Sequence, residues 1–286
     1  MSQASTRTGP GRAGKPSRTR TRPPARTPRA DQDAVVVAVA NQKGGVAKTT
    51  SVASLGAAFA ESGRRVLLVD LDAQACLTFS LGVDPDSVET SVNEVLLGQA
   101  DAADAVLECA DGVSLLPSVI DLAGVEAQLL TRPGREYVLR TILEPVLTDY
   151  DLVMLDCSPS LGVLTLAALT AADYLVVPMP CEMLSHRGVG QLLDTVKDVT
   201  RFLNPDLQVL GVLPTLFDGR STHAQAVLAD VGERYGLPVL GPPIPKTIRF
   251  AEAPAVGRSI LATARRSKGA LAYRAVAASL ASALWP

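Results

Sequence analysis

Aromatic residues and closely spaced cysteines are both scarce in this sequence of 286 residues. Phe, Trp and Tyr make up only 4% of it, which argues against a surface built to stack single-stranded bases. The cysteines lack the short spacing of a zinc or redox motif, so we interpret them as buried, reduced thiols of a cytosolic protein; they are Cys76, Cys109, Cys157 and Cys181. No apolar run approaches about 18 residues, and none follows the basic N-terminus, so we expect neither a membrane-spanning helix nor a secretory signal peptide.

Charge is distributed unevenly along the chain. Residues 1–30 contain eight basic side chains and no acidic one, whereas residues 31–286 contain 19 basic and 29 acidic side chains. Residues 1–33 consist mainly of Arg, Thr, Pro, Gly and Ser, with too little apolar surface to offset the entropy of ordering a chain. We therefore expect a disordered basic tail at residues 1–33 and a folded domain at residues 34–286.

Short β-branched and aliphatic runs alternate with longer stretches of helical spacing. The runs predict strands buried on both faces, at residues 34–40, 66–69, 152–155, 174–177 and 209–213. Ala- and Leu-rich stretches predict helices near residues 48–62, 120–131, 135–148, 161–171, 184–202, 221–235 and 268–283. This alternation indicates an α/β fold with one doubly wound, mostly parallel sheet flanked by helices.

The first predicted strand runs directly into a glycine-rich loop and then into a helix. The loop reads Asn41-Gln42-Lys43-Gly44-Gly45-Val46-Ala47-Lys48-Thr49-Thr50. A loop in this position presents backbone N–H groups and the positive end of a helix to a polyphosphate. We expect Lys48 to lie on the β- and γ-phosphates and the Thr49 hydroxyl to bind Mg²⁺, as in a P-loop NTPase.

Two residues of this loop depart from the ordinary phosphate-binding pattern. Ala47 stands where a glycine normally precedes the lysine, and we expect it to keep a negative φ because a Cβ in the left-handed region costs about 1–2 kcal/mol. Lys43 begins the loop and cannot easily fold back onto phosphates that its own loop holds. It is therefore well placed to reach a nucleotide bound by a second copy of the protein.

With these features the sequence resembles the deviant Walker-A ATPases of the ParA/MinD group, and more closely the Soj-like ParA ATPases of chromosome and plasmid partition. Beside the loop, the resemblance rests on segments in the family's order at residues 66–74, 151–162, 211–220 and 244–254. It implies a Mg²⁺-dependent ATPase with weak basal activity. The sequence departs from the family at Ala73, Ala75 and Cys76, where the family usually has Pro and then Gly-Asn.

The resemblance assigns roles to acidic residues at the ends of predicted strands. Asp156 becomes the Walker-B aspartate that holds Mg²⁺, although the residues alone are also consistent with a helix N-cap at this position. Asp72 becomes the residue that orients the attacking water, which leaves Asp70 a structural role or a contact to a Mg²⁺ ligand. We expect Asp70 and Asp72 to face opposite sides of the sheet, so that only one of them reaches the nucleotide.

The remaining nucleotide contacts also follow from the resemblance. Thr50 and the amides of Gly44, Gly45, Val46 and Ala47 would hold the α-phosphate, and Pro245 would contact the nucleotide. Lys43 would neutralise the γ-phosphate of the partner subunit's ATP. Lys43, Lys48 and Asp72 would then form the catalytic set of an ATP-sandwich homodimer, in which hydrolysis dissolves the interface.

Arg220 and Arg249 fall on positions where ParA proteins bind DNA without sequence preference. Basic residues in neighbouring segments are candidates for extending this surface, with ordinary solvated side chains as the alternative; they are Lys246, Arg258, Arg265, Arg266 and Lys268. Because the rest of the chain is acidic, DNA binding requires such clustering and cannot come from net charge.

Three functional classes are consistent with these patterns. The leading one is a cytoplasmic, nucleoid-associated partition ATPase that hydrolyses ATP with a ParB-like stimulating partner and has no membrane contact, or a stand-alone paralogue that positions another cargo. A MinD-like membrane ATPase should end in a basic amphipathic helix, whereas residues 270–286 contain only Arg274 as a base and are typical of a packed helix. A relative of nitrogenase iron protein would need a cysteine pair bridging a dimer.

Overall fold

The computed structural model describes residues 34–182 and 185–285, except for the side chains of residues 185–187. The expected tail at residues 1–33 lies outside this part of the chain. The described strands are β1 (Val35–Val39), β2 (Val66–Leu71), β3 (Leu107–Glu108), β4 (Ser114–Leu116), β5 (Leu152–Cys157), β6 (Tyr174–Pro180) and β7 (Gln208–Thr215). They form one sheet in the order β3-β4-β2-β5-β1-β6-β7.

The sheet is parallel except at one edge, where β3 pairs with β4 in the antiparallel sense. All five predicted runs are strands, and the expectation of a doubly wound, mostly parallel sheet is confirmed. The sequence did not predict β3 and β4, because strands of two and three residues are too short to display a periodic pattern. They extend the sheet beyond β2.

Helices cover both faces of the sheet. They are α1 (Lys48–Glu61), α2 (Cys76–Ser80), α3 (Val92–Leu97), α4 (Ala102–Ala105), α5 (Leu122–Leu129), α6 (Val138–Leu143), α7 (Val163–Ala171), α8 (Ser185–Phe202), α9 (Thr222–Tyr235), α10 (Arg249–Glu252), α11 (Ile260–Thr263) and α12 (Lys268–Leu284). The helix predicted at residues 135–148 is divided, because α6 gives way to a 3₁₀ segment at Glu144–Asp149. Pro145 lacks the N–H that would continue α6.

The strands bury side chains on both faces, which explains their continuous apolar runs. In β2, Leu67 and Val69 belong to the core on one side of the sheet, whereas Leu68 belongs to the core on the other side. Helix α1 lies very close to the second face, since a Cβ on Gly56 would come within 2.7 Å of the Leu68 side chain. This close packing holds the middle of α1, the helix that begins at Lys48, against the sheet.

Helix α12 packs along α1, as its sequence predicts. The Tyr273 hydroxyl lies 3.0 Å from the Ser51 hydroxyl, and the Trp285 ring meets the edge of Phe59 at a centroid distance of 5.6 Å. Much of its apolar side is therefore buried in the protein, including Tyr273, Val276 and Leu280, whereas Leu271 is exposed. No helix in the described part of the chain has the length and apolar character needed to cross a bilayer.

Candidate nucleotide site

The glycine-rich loop joins β1 to α1 at the carboxyl end of the sheet. Gly45 has a φ of 71° and Ala47 a φ of 67°, so both lie in the left-handed region. The expectation that Ala47 keeps a negative φ is therefore wrong: the backbone turns into α1 as a glycine would allow, and Ala47 accepts the strain of a Cβ there. The Thr215 hydroxyl at the end of β7 donates to the carbonyl of Val46 over 3.0 Å and braces this turn.

Lys48 begins α1 and is almost completely buried, with 7% of its surface exposed. Its ammonium group donates to the carbonyl of Lys43 over 3.3 Å, across the loop. Burial lowers the pKa of Lys48, while the nearby charges of Asp156, Cys157 and Asp72 oppose that shift. The loop therefore surrounds the buried ammonium group of Lys48, which lies near carboxylates and can bind a phosphate group through charge-assisted hydrogen bonds.

Asp156 lies inside β5, in register with Val39 of β1 on one side and Asp70 of β2 on the other. The alternative of a helix N-cap is wrong, because α7 begins only at Val163 after Gly162. Burial raises the pKa of Asp156 and Asp70 raises it further, while the Thr49 side chain and the Lys48 charge lower it.

Both carboxylate oxygens of Asp156 are buried without a hydrogen-bond partner of good geometry among the described residues. Mg²⁺ is coordinated by one or two protein oxygens and takes its other ligands from phosphates and water. The Asp156 oxygens, which lie beside Thr49 without a hydrogen bond of good geometry, fit that ion. Within the described residues, no three His, Cys, Asp or Glu side chains form a metal site by themselves. The site therefore suits a cation that arrives with a phosphate ligand.

Asp70 is the last residue but one of β2, the strand beside the β5 that carries Asp156, and Asp72 follows the end of β2. The expectation that the two face opposite sides is wrong, because residues two apart along an extended chain point to the same side. Both carboxylates lie near Asp156, since each raises its pKa. Asp70 is fully buried and accepts from the Thr78 amide over 2.9 Å and from its hydroxyl over 2.8 Å, whereas Asp72 is half-buried.

Lys43 points away from its own loop and forms an ion pair with Glu182, with 3.0 Å between Nζ and Oε2. Both side chains are accessible, with 36% of Lys43 and 62% of Glu182 exposed. The sequence suggested no chemical role for Glu182. Two signals point to this partner: its place in the loop after β6, the strand beside β1, and its match to a glutamate that the ParA family has in this loop.

Two segments meet beside the end of β7. The Phe217 amide donates to the Ile244 carbonyl over 3.0 Å, and the Lys246 amide donates to the Phe217 carbonyl over 3.1 Å. This pairing places half-buried Pro245 beside Phe217, two residues after the Thr215 that braces the loop.

The same pairing brings the segments of Arg220 and Arg249 together, and we call the exposed Arg220, Lys246 and Arg249 the arginine surface. The Arg220 guanidinium has no partner among the described residues, whereas Arg249 pairs with Glu252 over 2.8 Å on its own helix. Arg258 is unsuited to extend this surface, because its guanidinium is held by Asp111 at 2.6 Å.

The four cysteines are free thiols. Cys157 and Cys181 are buried and Cys109 is partly buried, but Cys76 is exposed at the start of α2, so the expectation of buried thiols is wrong at that position. Burial raises the pKa of Cys109 and Cys157 to about 12 and that of Cys181 to about 11. It also raises the pKa of Cys76, with a smaller contribution from Asp72.

Comparisons with known proteins agree with this geometry. A family described as an AAA domain matches residues 34–209. The sporulation initiation inhibitor protein Soj of Bacillus subtilis is 40% identical over 248 residues, which cover 86% of this chain and 98% of Soj. The chromosome partitioning protein ParA of Caulobacter vibrioides is 39% identical over 250 residues, which cover 86% of this chain and 94% of that protein.

A solved structure is also similar over most of its length. It is described as cobyrinic acid a,c-diamide synthase from Mycobacterium smegmatis with bound ADP and magnesium. It is 57% identical, with a TM-score of 0.78, and the match covers 86% of this chain and 94% of that one. The fold, the loop and the match along nearly all of Soj and ParA lead to one conclusion: this chain belongs to the Soj/ParA family of P-loop ATPases.

Proposed function

We propose that this protein is a partition ATPase of the ParA type. Its ATP-bound subunits form a homodimer, the dimer binds double-stranded DNA without sequence preference, and a ParB-like partner stimulates hydrolysis and releases it. One observation supports the ATP cycle most directly: the carboxylate oxygens of Asp156 are buried without a hydrogen bond of good geometry and lie beside Lys48 and Thr49. We expect the protein to act in the cytoplasm on the nucleoid.

The nucleotide chemistry is divided among few residues. Lys48 binds the β- and γ-phosphates, while Thr50 and the loop amides from Gly44 to Ala47 bind the remaining phosphate oxygens. Thr49 and Asp156 hold Mg²⁺, which neutralises phosphate charge when it is bound. Asp72 accepts a hydrogen bond from the attacking water and holds it in line with the γ-phosphate, and Pro245 borders the nucleotide.

Lys43 links this chemistry to assembly. In a single subunit its ammonium group reaches Glu182 and remains 36% exposed. In the proposed dimer it leaves Glu182 and neutralises the γ-phosphate of the nucleotide in the opposite subunit. Only a nucleotide with a γ-phosphate then stabilises the dimer, and hydrolysis weakens the interface.

DNA binding is proposed for the arginine surface. Arg220 has an unpaired guanidinium among the described residues, and Arg249 makes only an exposed pair on its own helix. Phosphate contacts made by such side chains carry no sequence information. Dimerisation doubles the number of these contacts, which makes DNA affinity depend on ATP.

A second candidate function comes from the 57% identical Mycobacterium smegmatis structure, whose description is cobyrinic acid a,c-diamide synthase. A cysteine that acts as a nucleophile in such a synthesis must be present as the thiolate. Burial raises the pKa of all four cysteines here, which disfavours a thiolate. ATP-dependent conversion of cobyrinic acid to its a,c-diamide would favour this second function over partition.

Light scattering with ATP, ADP and no nucleotide tests the proposed cycle. The wild type should dimerise with ATP alone, and Lys43→Ala should remain monomeric while it still binds ATP. Lys197→Ala is the matched control, because Lys197 is another exposed lysine in an ion pair, 2.8 Å from Asp194 on α8. A Lys43→Ala protein that dimerises like the control contradicts the proposed role of Lys43.

A further inference from the structure

The backbone of Asp72 is held by a closed ring of hydrogen bonds. Its amide donates to Oδ1 of Asp70 over 3.1 Å. The other oxygen of Asp70 accepts from the amide of Thr78 over 2.9 Å and from the Thr78 hydroxyl over 2.8 Å. The first half of the ring therefore connects the end of β2 to helix α2.

Ser118 closes the ring from the loop after β4. Its amide donates to the Thr78 hydroxyl over 2.9 Å, and its own hydroxyl donates to the carbonyl of Asp72 over 2.8 Å. The amide and the carbonyl of Asp72 are thus both bonded to side chains of the ring. We call Asp70, Asp72, Thr78 and Ser118 the Asp72 ring.

Burial makes the Asp72 ring stiff. Asp70, Thr78 and Ser118 are each 0% exposed, so water cannot replace a bond that opens. At the carboxylate of Asp72, the Gln74 amide donates to Oδ1 over 3.0 Å. Oδ2 has no hydrogen bond within the described part of the chain, which leaves it directed by the ring and free for an outside donor.

We infer that Thr78 and Ser118 are positioning residues that orient the carboxylate of Asp72 toward the attacking water. This inference rests on the proposed function, because it takes Asp72 as the residue that orients water. In-line attack demands accurate placement, and a shift of about 1 Å can cost a hundredfold in rate. Neither Thr78 nor Ser118 needs to touch the nucleotide, so their removal affects hydrolysis and spares nucleotide binding.

The test compares Ser118→Ala, Thr78→Val and Thr78→Ser. Turnover is measured at saturating Mg-ATP, and the Kd of a non-hydrolysable ATP analogue is measured by calorimetry. Ser118→Ala and Thr78→Val should lower kcat about tenfold or more and leave Kd within about twofold of the wild type. Thr78→Ser keeps a hydroxyl and should retain most of the turnover.

Thr170→Val is the matched control. The Thr170 hydroxyl is also buried, and it donates to the carbonyl of Leu166 over 2.7 Å in helix α7. This variant should keep the wild-type kcat whatever happens to its melting temperature. If Ser118→Ala and Thr78→Val lose thermal stability as Thr170→Val does but keep their turnover, the ring is only structural and the inference is overturned.

Asp72→Asn separates this inference from the proposed function. When Asp72→Asn loses turnover but Ser118→Ala keeps it, Asp72 orients water without help from the ring, and only the further inference fails. When Asp72→Asn hydrolyses ATP like the wild type, the proposed role of Asp72 fails and the ring positions no water-orienting group. Hydrogen exchange of residues 70–78 gives a readout besides turnover, and it should accelerate in Ser118→Ala.

Discussion

The proposed nucleotide site and the arginine surface hold their charges in opposite environments. At the nucleotide site Lys48 is 7% exposed and Asp156 is 1% exposed. On the arginine surface the Arg249 side chain is 58% exposed, and Arg220 and Lys246 are exposed as well. The first region surrounds its charges with protein, whereas the second region presents them to water.

This difference determines how each region can work. A charge in a low-dielectric interior interacts strongly with its neighbours and is weakly screened by salt, so one residue can decide binding. Exposed charges are screened, and each contributes little, so such a surface acts through the number of its charges. Single substitutions should therefore matter most at the nucleotide site.

The largest effect is expected for Lys48→Met, which preserves the apolar stem and removes the buried charge. Without it, the phosphates lose their cation while Asp156 and Asp72 still repel them. We expect the affinity for an ATP analogue, measured by calorimetry, to fall about 100-fold or more, which corresponds to about 2.7 kcal/mol. An affinity within threefold of the wild type would contradict the claim that a single buried charge determines nucleotide binding.

Replacing both Arg220 and Arg249 by Ala should give the next largest effect. The double variant should still dimerise with ATP but lose most of its DNA affinity, equally on unrelated sequences. A dimer loses four contacts, and each phosphate contact contributes about −0.9 to the slope of log affinity against log salt. Interferometry from low to moderate salt should therefore show a slope that is shallower by about 3.6.

A charge-matched control makes that experiment specific. Lys197→Ala with Arg234→Ala also removes two exposed positive charges, from α8 and α9, and both side chains form ion pairs within their own helices. This control should keep the wild-type slope. An equal loss in both double variants would mean that DNA responds to net charge, and the arginine surface would then have no special role.

The alternation of strands and helices along the chain is predictable, because the pattern of apolar residues that indicates each element lies within that element. The strands β1, β2, β5, β6 and β7 are buried on both faces and display continuous apolar runs. Helix α2 has only five residues, and its position depends on the bonds of Thr78 to Asp70. Such short elements are determined by tertiary contacts, and periodicity cannot reveal them.

The candidate site divides in the same way. Lys48 and Thr49 follow a glycine-rich pattern that the sequence shows directly, whereas Ser118 lies 40 residues from Thr78 and 46 from Asp72. The left-handed φ of Ala47 does not follow from the sequence either, because the cost of a Cβ favours a negative φ and the turn of the folded loop overrides it. Long-range hydrogen bonds and backbone strain can therefore be identified only once the folded structure is known.

Ala47→Gly alters the buried site without removing a charge, so it should have a smaller effect than the substitutions above. Glycine removes the strain of a Cβ at a φ of 67°, about 1–2 kcal/mol, but costs roughly 0.5–1 kcal/mol of backbone entropy. We expect a net gain of up to about 1.5 kcal/mol and a melting temperature that is higher by up to about 3–6 °C without nucleotide. Ala229→Gly on the exposed face of α9 is the control and should lower the melting temperature.

The smallest effect is expected for Glu182→Gln, which tests an exposed ion pair located at the nucleotide site. The variant keeps the shape of the side chain but releases Lys43, whose pair with Glu182 is 36% and 62% exposed. An exposed pair contributes about 0–1 kcal/mol, so the ATP-dependent dimer should become tighter by at most about fivefold. Sedimentation at about 0.1 M and 1 M salt should show the gain shrinking as the charges are screened.

Asp194→Asn releases Lys197 in the same way on α8 and should leave dimerisation unchanged. A weaker dimer in Glu182→Gln would instead mean that Glu182 itself contacts the second subunit. A change of more than about fivefold in either direction would mean that closeness to the nucleotide site affects the energy of an ion pair more than its exposure to water does.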